Sequence, residues 1–362
     1  MKKTDVMKSL SGTRPASLKP VDDPARLDRI IAAATTRPST VSVVPRHGRI
    51  KLGWGLGTAG VVAAGLAVAV TLVPGGAGDR SAEPAARGLL LAAAEQTVKV
   101  PTVAGRYWHI RGVNSGGLFG GRSSHGVCRD ETWVAKSPKD PSWWIVHSWT
   151  RVDAVKGAKP PKEGEFSSEQ AHFTCSRGNR ALSDETGKTP YASRLNNFAE
   201  PGSSWPNVNG KAVSVADIER LPTEPEALKE VLIQWQGPGG MSDKRRDEIL
   251  FEQAAELLLE LPAPSGVRAA LFRLMADLPE VRSLGGVRDP LGRDAVGVTL
   301  RSCEPSYGTE SQVLFDKNTG RLLSVGRSVG EQGCADLRPA GWSAVLESGW
   351  TDESPKVPAD HS

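Results

Sequence analysis

The stretch LGWGLGTAGVVAAGLAVAVTLVPGGAG, residues Leu52–Gly78, decides how this chain is organised. It is a run of 27 residues without a single charged side chain. A helix needs about 20 predominantly apolar residues to cross the roughly 30 Å hydrocarbon core of a bilayer, so one transmembrane helix is predicted here. The resulting segments are a mostly disordered basic tail (1–51), the transmembrane helix (52–74), a large domain (79–350) and a flexible C-terminal tail (351–362).

The charge distribution gives the orientation of this helix. Eleven Lys or Arg and four Asp precede the apolar run, whereas 34 basic and 37 acidic residues follow it. Basic residues are retained on the cytoplasmic side of a membrane, so the N-terminus is predicted to be cytoplasmic and the large domain extracytoplasmic. A cleaved signal peptide is the alternative, because the small residues 76–78 resemble a cleavage site. Its apolar region would, however, usually be shorter and nearer the N-terminus.

The basic tail contains one short amphipathic segment at residues 22–34. Asp23 is a good N-cap and Pro24 suits the first helical position. The side chains of Leu27, Ile30 and Ile31 then fall on one helix face. So short a helix is marginal alone, so we expect these three residues to contact the membrane or a partner protein. The tail has no interleaved aromatic residues, and no nucleic-acid binding is expected.

The residues after the apolar run predict an α+β fold with an antiparallel sheet and packed helices. Strand patterns come first, then three amphipathic helix patterns, then strands again, an order typical of α+β domains. Residues 176–210 lack periodicity and are predicted to be a long irregular connection. The predicted elements are a helix at 84–98, strands at 106–113, 131–136 and 143–152, helices at 226–235, 243–261 and 267–278, and strands at 295–301, 312–315, 321–325 and 342–346.

Four cysteines lie in the predicted extracytoplasmic part: Cys128, Cys175, Cys303 and Cys334. An even number of cysteines on the oxidising side of a membrane favours disulfides. Local pairing gives Cys128–Cys175 and Cys303–Cys334, although four cysteines allow three connectivities.

Two His-x-x-Cys units offer a different interpretation of the first pair. His125 and Cys128 form one unit, and His172 and Cys175 form the other. Two imidazoles and two thiolates have the composition of a tetrahedral zinc site, so a zinc site with these four ligands is the alternative to the disulfide.

The sequence contains no recognisable catalytic motif. There is no Gly-x-Ser-x-Gly, P-loop or His-Glu-x-x-His pattern, and no cofactor is predicted. The segment Asp289–Arg293, DPLGR, places an acid beside a base, but Asp, Pro and Gly are also the residues that turns require. We therefore interpret it as a turn in which Arg293 pairs with Asp289 or Asp294. The chain is predicted not to be an enzyme.

Several segments together resemble an uncharacterised actinobacterial family of single-pass envelope proteins. They are DPARLDRI (23–30), YWHIR (107–111), VRAALFRLMADLPEV (267–281), the DPLGR segment with VGV (296–298), and FDKNTGRLL (315–323). Such proteins are often encoded beside extracytoplasmic-function sigma factors, so the resemblance implies an anti-sigma-like role. The tail departs from the zinc type of anti-sigma domain, because it contains no Cys. At the level of fold, the domain is similar by analogy to the half-barrel sensors and lipoprotein carriers of bacterial envelopes.

These observations predict a membrane-anchored, non-enzymatic envelope protein whose external domain binds an unknown ligand or partner. Regulation of a cytoplasmic sigma factor through the tail helix is a further hypothesis. The alternative is an envelope carrier for a lipid or glycan, in which the tail only sets the topology. A third hypothesis is an anchored hydrolase with a metal at His125 and His172.

Overall fold

The computed structural model describes most of the predicted external domain. The described residues are 81–100, 103–117, 124–153, 173–177, 180–183, 189–195, 207–208, 211–237 and 241–358. The predicted cytoplasmic tail and the predicted transmembrane helix both lie outside them. No helix within these ranges combines the length and the apolar character that crossing a bilayer requires.

The described chain forms an α+β fold, as predicted, in which helices pack on one face of a large antiparallel sheet. In chain order the elements are α1 (Pro84–Thr97), β1 (Tyr107–Gly117), β2 (Ser124–Ala135), β3 (Ser142–Asp153), β4 (Phe173–Arg177), β5 (Arg180–Ser183), β6 (Tyr191–Leu195), β7 (Asn207–Val208), β8 (Lys211–Ala212), α2 (Val215–Glu219), α3 (Pro225–Trp235), α4 (Asp243–Glu260), α5 (Ser265–Asp277), β9 (Val281–Arg288), β10 (Asp294–Glu304), β11 (Tyr307–Phe315), β12 (Leu322–Gly330) and β13 (Arg338–Thr351).

The main sheet has nine strands in the order β6-β3-β2-β1-β13-β12-β11-β10-β9. Its strands β1–β3 and β9–β13 form two antiparallel meanders, and the helical segment lies between them in the chain. The two meanders join in the middle of the sheet, where β1 pairs with β13 and Tyr107 lies opposite Thr351. The strands at the two ends of this domain's sequence are therefore neighbours at the centre of the sheet.

Four of the described helices, α1 to α4, begin where the sequence supplies an N-cap or an early proline. Ser214 and Asp217 form a capping box at α2, and the Ser242 hydroxyl accepts a hydrogen bond from the Arg245 amide at the start of α4. Pro84 and Pro225 occupy the first helical positions of α1 and α3. The first turn of a helix leaves its backbone N–H groups without partners inside the helix. The capping side chains accept hydrogen bonds from such groups, and the two prolines have no N–H group to satisfy.

The core lies between the helices and one face of the sheet. α1 packs against α5 and β9, and α4 packs against β10 and β12. Phe272 of α5 meets Phe315 of β11 edge to face, with ring centroids 5.5 Å apart. The largest fully buried side chains are Trp144, Phe251, Phe272, Phe315, Leu90, Ile145, Leu195, Ile218, Leu228, Leu232 and Leu250.

The turn predicted at residues 289–293 connects β9 to β10 and is held by a buried ion pair. Arg293 pairs with Asp289, one of the two predicted partners, with 2.7 Å between Nε and Oδ2. The guanidinium also donates to the carbonyls of Val345 and Leu323, at 2.7 and 3.0 Å. The hairpin is thereby fixed against β12 and β13.

The strand β9 and the short helix α2 were not among the predicted elements, and two further segments differ from the prediction. The region 176–210 contains β6, which extends the main sheet by pairing with β3, so this region is not only an irregular connection. Residues 351–358 were predicted to belong to a flexible tail. Instead, Val357 packs against the apolar cluster around Tyr107 and Trp133, because that cluster offers an apolar surface on the side of the sheet away from the helices.

Candidate functional site

Three polar side chains from adjacent strands meet on the sheet face opposite the helices. In the strand register His109 of β1 lies opposite Trp133, and Glu131 of β2 lies opposite Arg111 on one side and Ile145 on the other. Because side chains alternate between the two faces of a strand, His109 and Glu131 share one face. His147 of β3 joins them, and we call His109, Glu131 and His147 the His–Glu–His cluster.

The Glu131 carboxylate lies between the two imidazoles. Its Oε2 is 2.7 Å from Nε2 of His109, and its Oε1 is 3.1 Å from Nε2 of His147. Only 10% of the Glu131 side chain is exposed, compared with 53% for His147. The Glu131 carboxylate is therefore a nearly buried hydrogen-bond acceptor, whereas the His147 imidazole is accessible to solvent.

A β-bulge in β3 falls at His147. Arg129 pairs with Ser148 while the next residue, Asp130, pairs with Val146, so His147 is an extra residue in β3. Bulges commonly redirect a side chain relative to regular alternation. Here the bulge coincides with the residue whose imidazole reaches the carboxylate of the neighbouring strand.

The charges in the cluster shift the pKa values of two groups. Burial alone would raise the pKa of Glu131, but hydrogen bonds from His109 and His147 outweigh burial and lower the pKa to about 2. The pKa of His147 is raised by its hydrogen bond to Glu131, against the opposing effect of burial. Glu131 is thus an anion near neutral pH, and the protonated form of His147 is favoured.

Aromatic side chains fix the other imidazole. The His109 ring stacks on Trp133 with centroids 3.9 Å apart and an interplanar angle of 18°. Trp133 in turn contacts the edge of Tyr107, in the apolar cluster that Val357 covers. Stacking leaves His109 few rotamers, so this imidazole is positioned before any ligand arrives.

An exposed ion pair borders the cluster. Arg111 and Glu347, from β1 and β13, are 3.9 Å apart, and their side chains are 44% and 61% exposed. With His147 they present both signs of charge to solvent beside the buried carboxylate. Such a surface suits contacts with a polar or charged group.

The side chain of Asp130, the residue before Glu131, lies on the opposite face of the sheet. Asp130 is buried, and its two carboxylate oxygens accept hydrogen bonds from the Asn114 amide at 2.6 Å and the Trp144 indole at 2.7 Å. Consecutive carboxylates of β2 therefore have different environments. Asp130 satisfies donors in the helix-facing core, and Glu131 organises the candidate site.

The chemistry of the cluster is that of binding and proton exchange. Its side chains supply no hydroxyl or thiol nucleophile. Within the described ranges, no three His, Cys, Asp or Glu side chains are arranged so that they could hold a metal ion. The imidazoles of the cluster can donate hydrogen bonds, and an imidazole can gain or lose a proton at a pH close to its pKa.

The predicted disulfide between Cys303 and Cys334 is confirmed, and it joins the end of β10 to the segment between β12 and β13. Cys128 is also disulfide-bonded. The side chain of Cys175, its predicted partner, lies outside the described ones, although β4, which carries Cys175, lies against β2.

The other predicted site residues are not brought together by the described part of the chain. A cysteine in a disulfide has no thiolate to give a metal, so Cys128 does not serve as the zinc ligand that the alternative required. The side chain of His125 and all of His172 lie outside the described residues. The predicted partner-binding residues Leu27, Ile30 and Ile31 also lie outside them.

The His–Glu–His cluster was not predicted, because its members are separated along the chain and meet only through the strand register. The one available signal was the polar residues within strand patterns, at His109, Glu131 and His147.

Comparison with known proteins finds no matching family model, no matching curated sequence and no matching solved structure.

Proposed function

We propose that this chain is a membrane-anchored, non-enzymatic envelope protein whose external α+β domain binds a polar ligand or partner. The observation that carries the binding role is the His–Glu–His cluster, in which a buried carboxylate positions two imidazoles beside the exposed Arg111 and Glu347. Binding surfaces commonly place a few fixed polar groups on a rigid scaffold. Adjacent strands of one sheet provide that scaffold here.

The anchor is proposed from the sequence. Residues 52–74 have the length and apolar character of a transmembrane helix, and the basic residues before them favour a cytoplasmic N-terminus. The test is protease accessibility of the full chain in intact cells. Digestion of the domain from outside, with protection of an N-terminal tag, supports the topology, whereas protection of both ends refutes it.

The binding role is tested with a photo-crosslinking residue at position 111 in the full chain. A crosslinker at Lys229 of α3, far from the cluster in the fold, is the matched control. The proposal expects a crosslinked species at position 111 that is lost in the Glu131→Gln variant. Equal crosslinking at both positions would show that the cluster is not the binding surface.

A regulatory link to the cytoplasm is proposed through the tail helix. Leu27, Ile30 and Ile31 would form its contact face, and a sigma factor is the partner that the family resemblance suggests. Copurification of a sigma factor with the full chain, lost in Ile30→Asp but retained in Ser17→Asp, would support the link. Recovery that is insensitive to Ile30→Asp would remove it.

A carrier of a lipid or glycan is a second candidate, favoured by one observation on the helix side of the sheet. The indole N–H of Trp108 is buried and has no hydrogen-bond partner among the described residues. Its ring meets Trp350 edge to face, with centroids 5.7 Å apart. A bound molecule with an acceptor oxygen would satisfy this donor. Mass spectrometry of the purified full chain should then find such a molecule, at lower occupancy in Trp108→Phe.

A further inference from the structure

An aromatic cluster lies on the face of the first meander that points away from the helices. Tyr107 of β1 meets Trp133 of β2 edge to face, with ring centroids 6.0 Å apart. The members of the cluster come from β1, β2, β3 and β6, and we call them the Trp133 cluster: the buried Tyr107, Trp133, Ala135, Ile145 and Ala192, and the half-buried Trp143. Large flat rings on adjacent strands of one sheet form a rigid apolar surface.

The chain's own C-terminal segment lies on this surface. Residues 353–358 follow β13 and form neither a helix nor a strand, and Val357 packs against the Trp133 cluster. Pro355, Val357 and Pro358 are half-buried, whereas Lys356 is exposed. A polyproline II helix has three residues per turn, so two prolines three residues apart fall on one side of it. The burial of the Pro-Lys-Val-Pro sequence matches a polyproline II segment with its proline side on the cluster.

The local sequence favours this conformation before any contact is made. Proline fixes its own φ near −65° and restricts the preceding residue to extended conformations. Pro355 and Pro358 therefore restrain themselves, Ser354 and Val357. The start of the segment is also held, because the Arg106 amide donates to Oδ1 of Asp352 at 3.1 Å. Little conformational entropy is lost when such a segment binds a surface.

The segment leaves one polar group of the cluster unsatisfied. Only 5% of Trp133 is exposed, and its indole N–H has no hydrogen-bond partner among the described residues. The His109 ring stacks on the indole with centroids 3.9 Å apart, which fixes the indole plane. A buried donor without a partner costs free energy. The carbonyls of a polyproline II segment are free to accept from it, since this conformation has no internal hydrogen bonds.

We propose that the Trp133 cluster is a recognition site for extended peptides of the Pro-x-x-Pro type, and that residues 355–358 occupy it until a partner's segment of the same chemistry replaces them. Binding of polyproline II segments to aromatic-lined surfaces is a recurring mode of peptide recognition. The partner's prolines would lie on the rings, and one of its carbonyls would accept from the Trp133 indole. This role is separate from the His–Glu–His cluster and requires neither a ligand there nor the membrane anchor.

The first test measures peptide binding by fluorescence polarisation, with the full chain in detergent micelles. The probe is a labelled peptide with the sequence of residues 353–360, ESPKVPAD. The native chain is compared with Val357→Ser/Pro358→Ser, which weakens the hold of the chain's own segment. Trp133→Phe is then added to that variant. Trp108→Phe, added in the same way, is the matched control, because the Trp108 indole also lacks a described partner but lies on the helix side of the sheet.

A tethered segment competes at an effective concentration of about 1 mM, so the native chain should bind the peptide weakly. Val357→Ser/Pro358→Ser should bind it about ten-fold or more tightly. Adding Trp133→Phe should weaken this binding about two- to ten-fold, and Trp108→Phe should leave it unchanged. A peptide with Ala at both prolines should bind about four-fold or more weakly, because its unbound form is less restricted. Absence of binding to the double variant, equal binding of the alanine peptide, or an equal effect of Trp108→Phe overturns the proposal.

The second test leaves the cluster and both prolines unchanged. A photo-crosslinking residue replaces the exposed Lys356 in the full chain. Irradiation should give crosslinks within the chain to β1, β2 or β3, mapped by mass spectrometry. Unlabelled peptide at about 10 mM, above the effective concentration of the tethered segment, should suppress these crosslinks, and the alanine peptide should not. Crosslinks that persist with the proline peptide would make the segment a permanent part of the fold, and crosslinks outside these strands would remove it from the cluster. Either result overturns the proposal.

Discussion

Replacement of Glu131 by Gln tests the electrostatics of the candidate site. A carboxylate pKa lowered from 4.5 to about 2 corresponds to about 3 kcal/mol of stabilisation of the ionised form in the folded protein. The Gln side chain keeps the shape and one acceptor but loses the charge that both imidazoles contact. We therefore expect Glu131→Gln to lower the free energy of unfolding by about 2–3 kcal/mol at pH 6.

The pH dependence of stability should change in a defined way. The contribution of Glu131 is fully present above 4.5, the pKa of the unfolded state, and is lost as the pH falls from there through about 2. The contribution of His147 has the opposite sign, since its folded pKa is raised. It is fully present below 6.5 and is lost as the pH rises through the folded value. Stability of the native chain due to the cluster is thus greatest between about pH 4.5 and 6.5, and Glu131→Gln should flatten this maximum.

The assay is urea unfolding of the full chain in detergent micelles, followed by tryptophan fluorescence from pH 3 to 9. Glu347→Gln is the matched control, because Glu347 is an exposed carboxylate 3.9 Å from its Arg111 partner and should contribute less than about 1 kcal/mol. A Glu131→Gln profile that parallels the native one across the pH range would refute the reasoning.

Three further predictions concern stability. Cys303→Ser should lower the free energy of unfolding by about 3–4 kcal/mol, since the disulfide closes a loop with a sequence separation of 31. The native and variant chains should have the same melting temperature once both are reduced. Arg293→Ala should lower the free energy of unfolding, measured in urea, by about 3 kcal/mol or more, because it leaves the buried Asp289 carboxylate without its cation. The control Arg288→Ala, which breaks the exposed ion pair with Asp294, should change this free energy little. Phe272→Ala should lower the free energy of unfolding by about 3–5 kcal/mol, since the ring is fully buried against Phe315. A smaller decrease than that caused by Val98→Ala, at an exposed residue, would contradict the assigned core.

Local patterns predicted most of the helices and strands. The helix predicted at 243–261 begins after Ser242, which caps it, and Leu250, Ala254 and Leu258 are buried along one side of it. The strands predicted at 312–315 and 321–325 are joined by a turn in which Gly320 has a positive φ of 66°. In each case the determining interactions lie within a few residues of one another, so a single sequence contains them.

Features that depend on pairing between distant segments were not predictable in this way. β6 is only five residues long, and its place in the sheet is set by its pairing with β3. The His–Glu–His cluster depends on the register of three strands, one of which has a bulge at His147. The sequence instead drew attention to His125 and Cys128, because their spacing forms a local motif. Periodicity identifies a strand but does not identify its partners.

The pairing of β1 with β13 has a consequence for how the domain is made. The chain is synthesised from its N-terminus, so Tyr107 emerges long before Thr351, its neighbour at the centre of the sheet. Until the last strand arrives, the first meander has an unpaired inner edge, a surface that invites aggregation. The domain is therefore expected to depend on chaperones while it folds, and a premature stop before residue 338 should leave two half-sheets that cannot join.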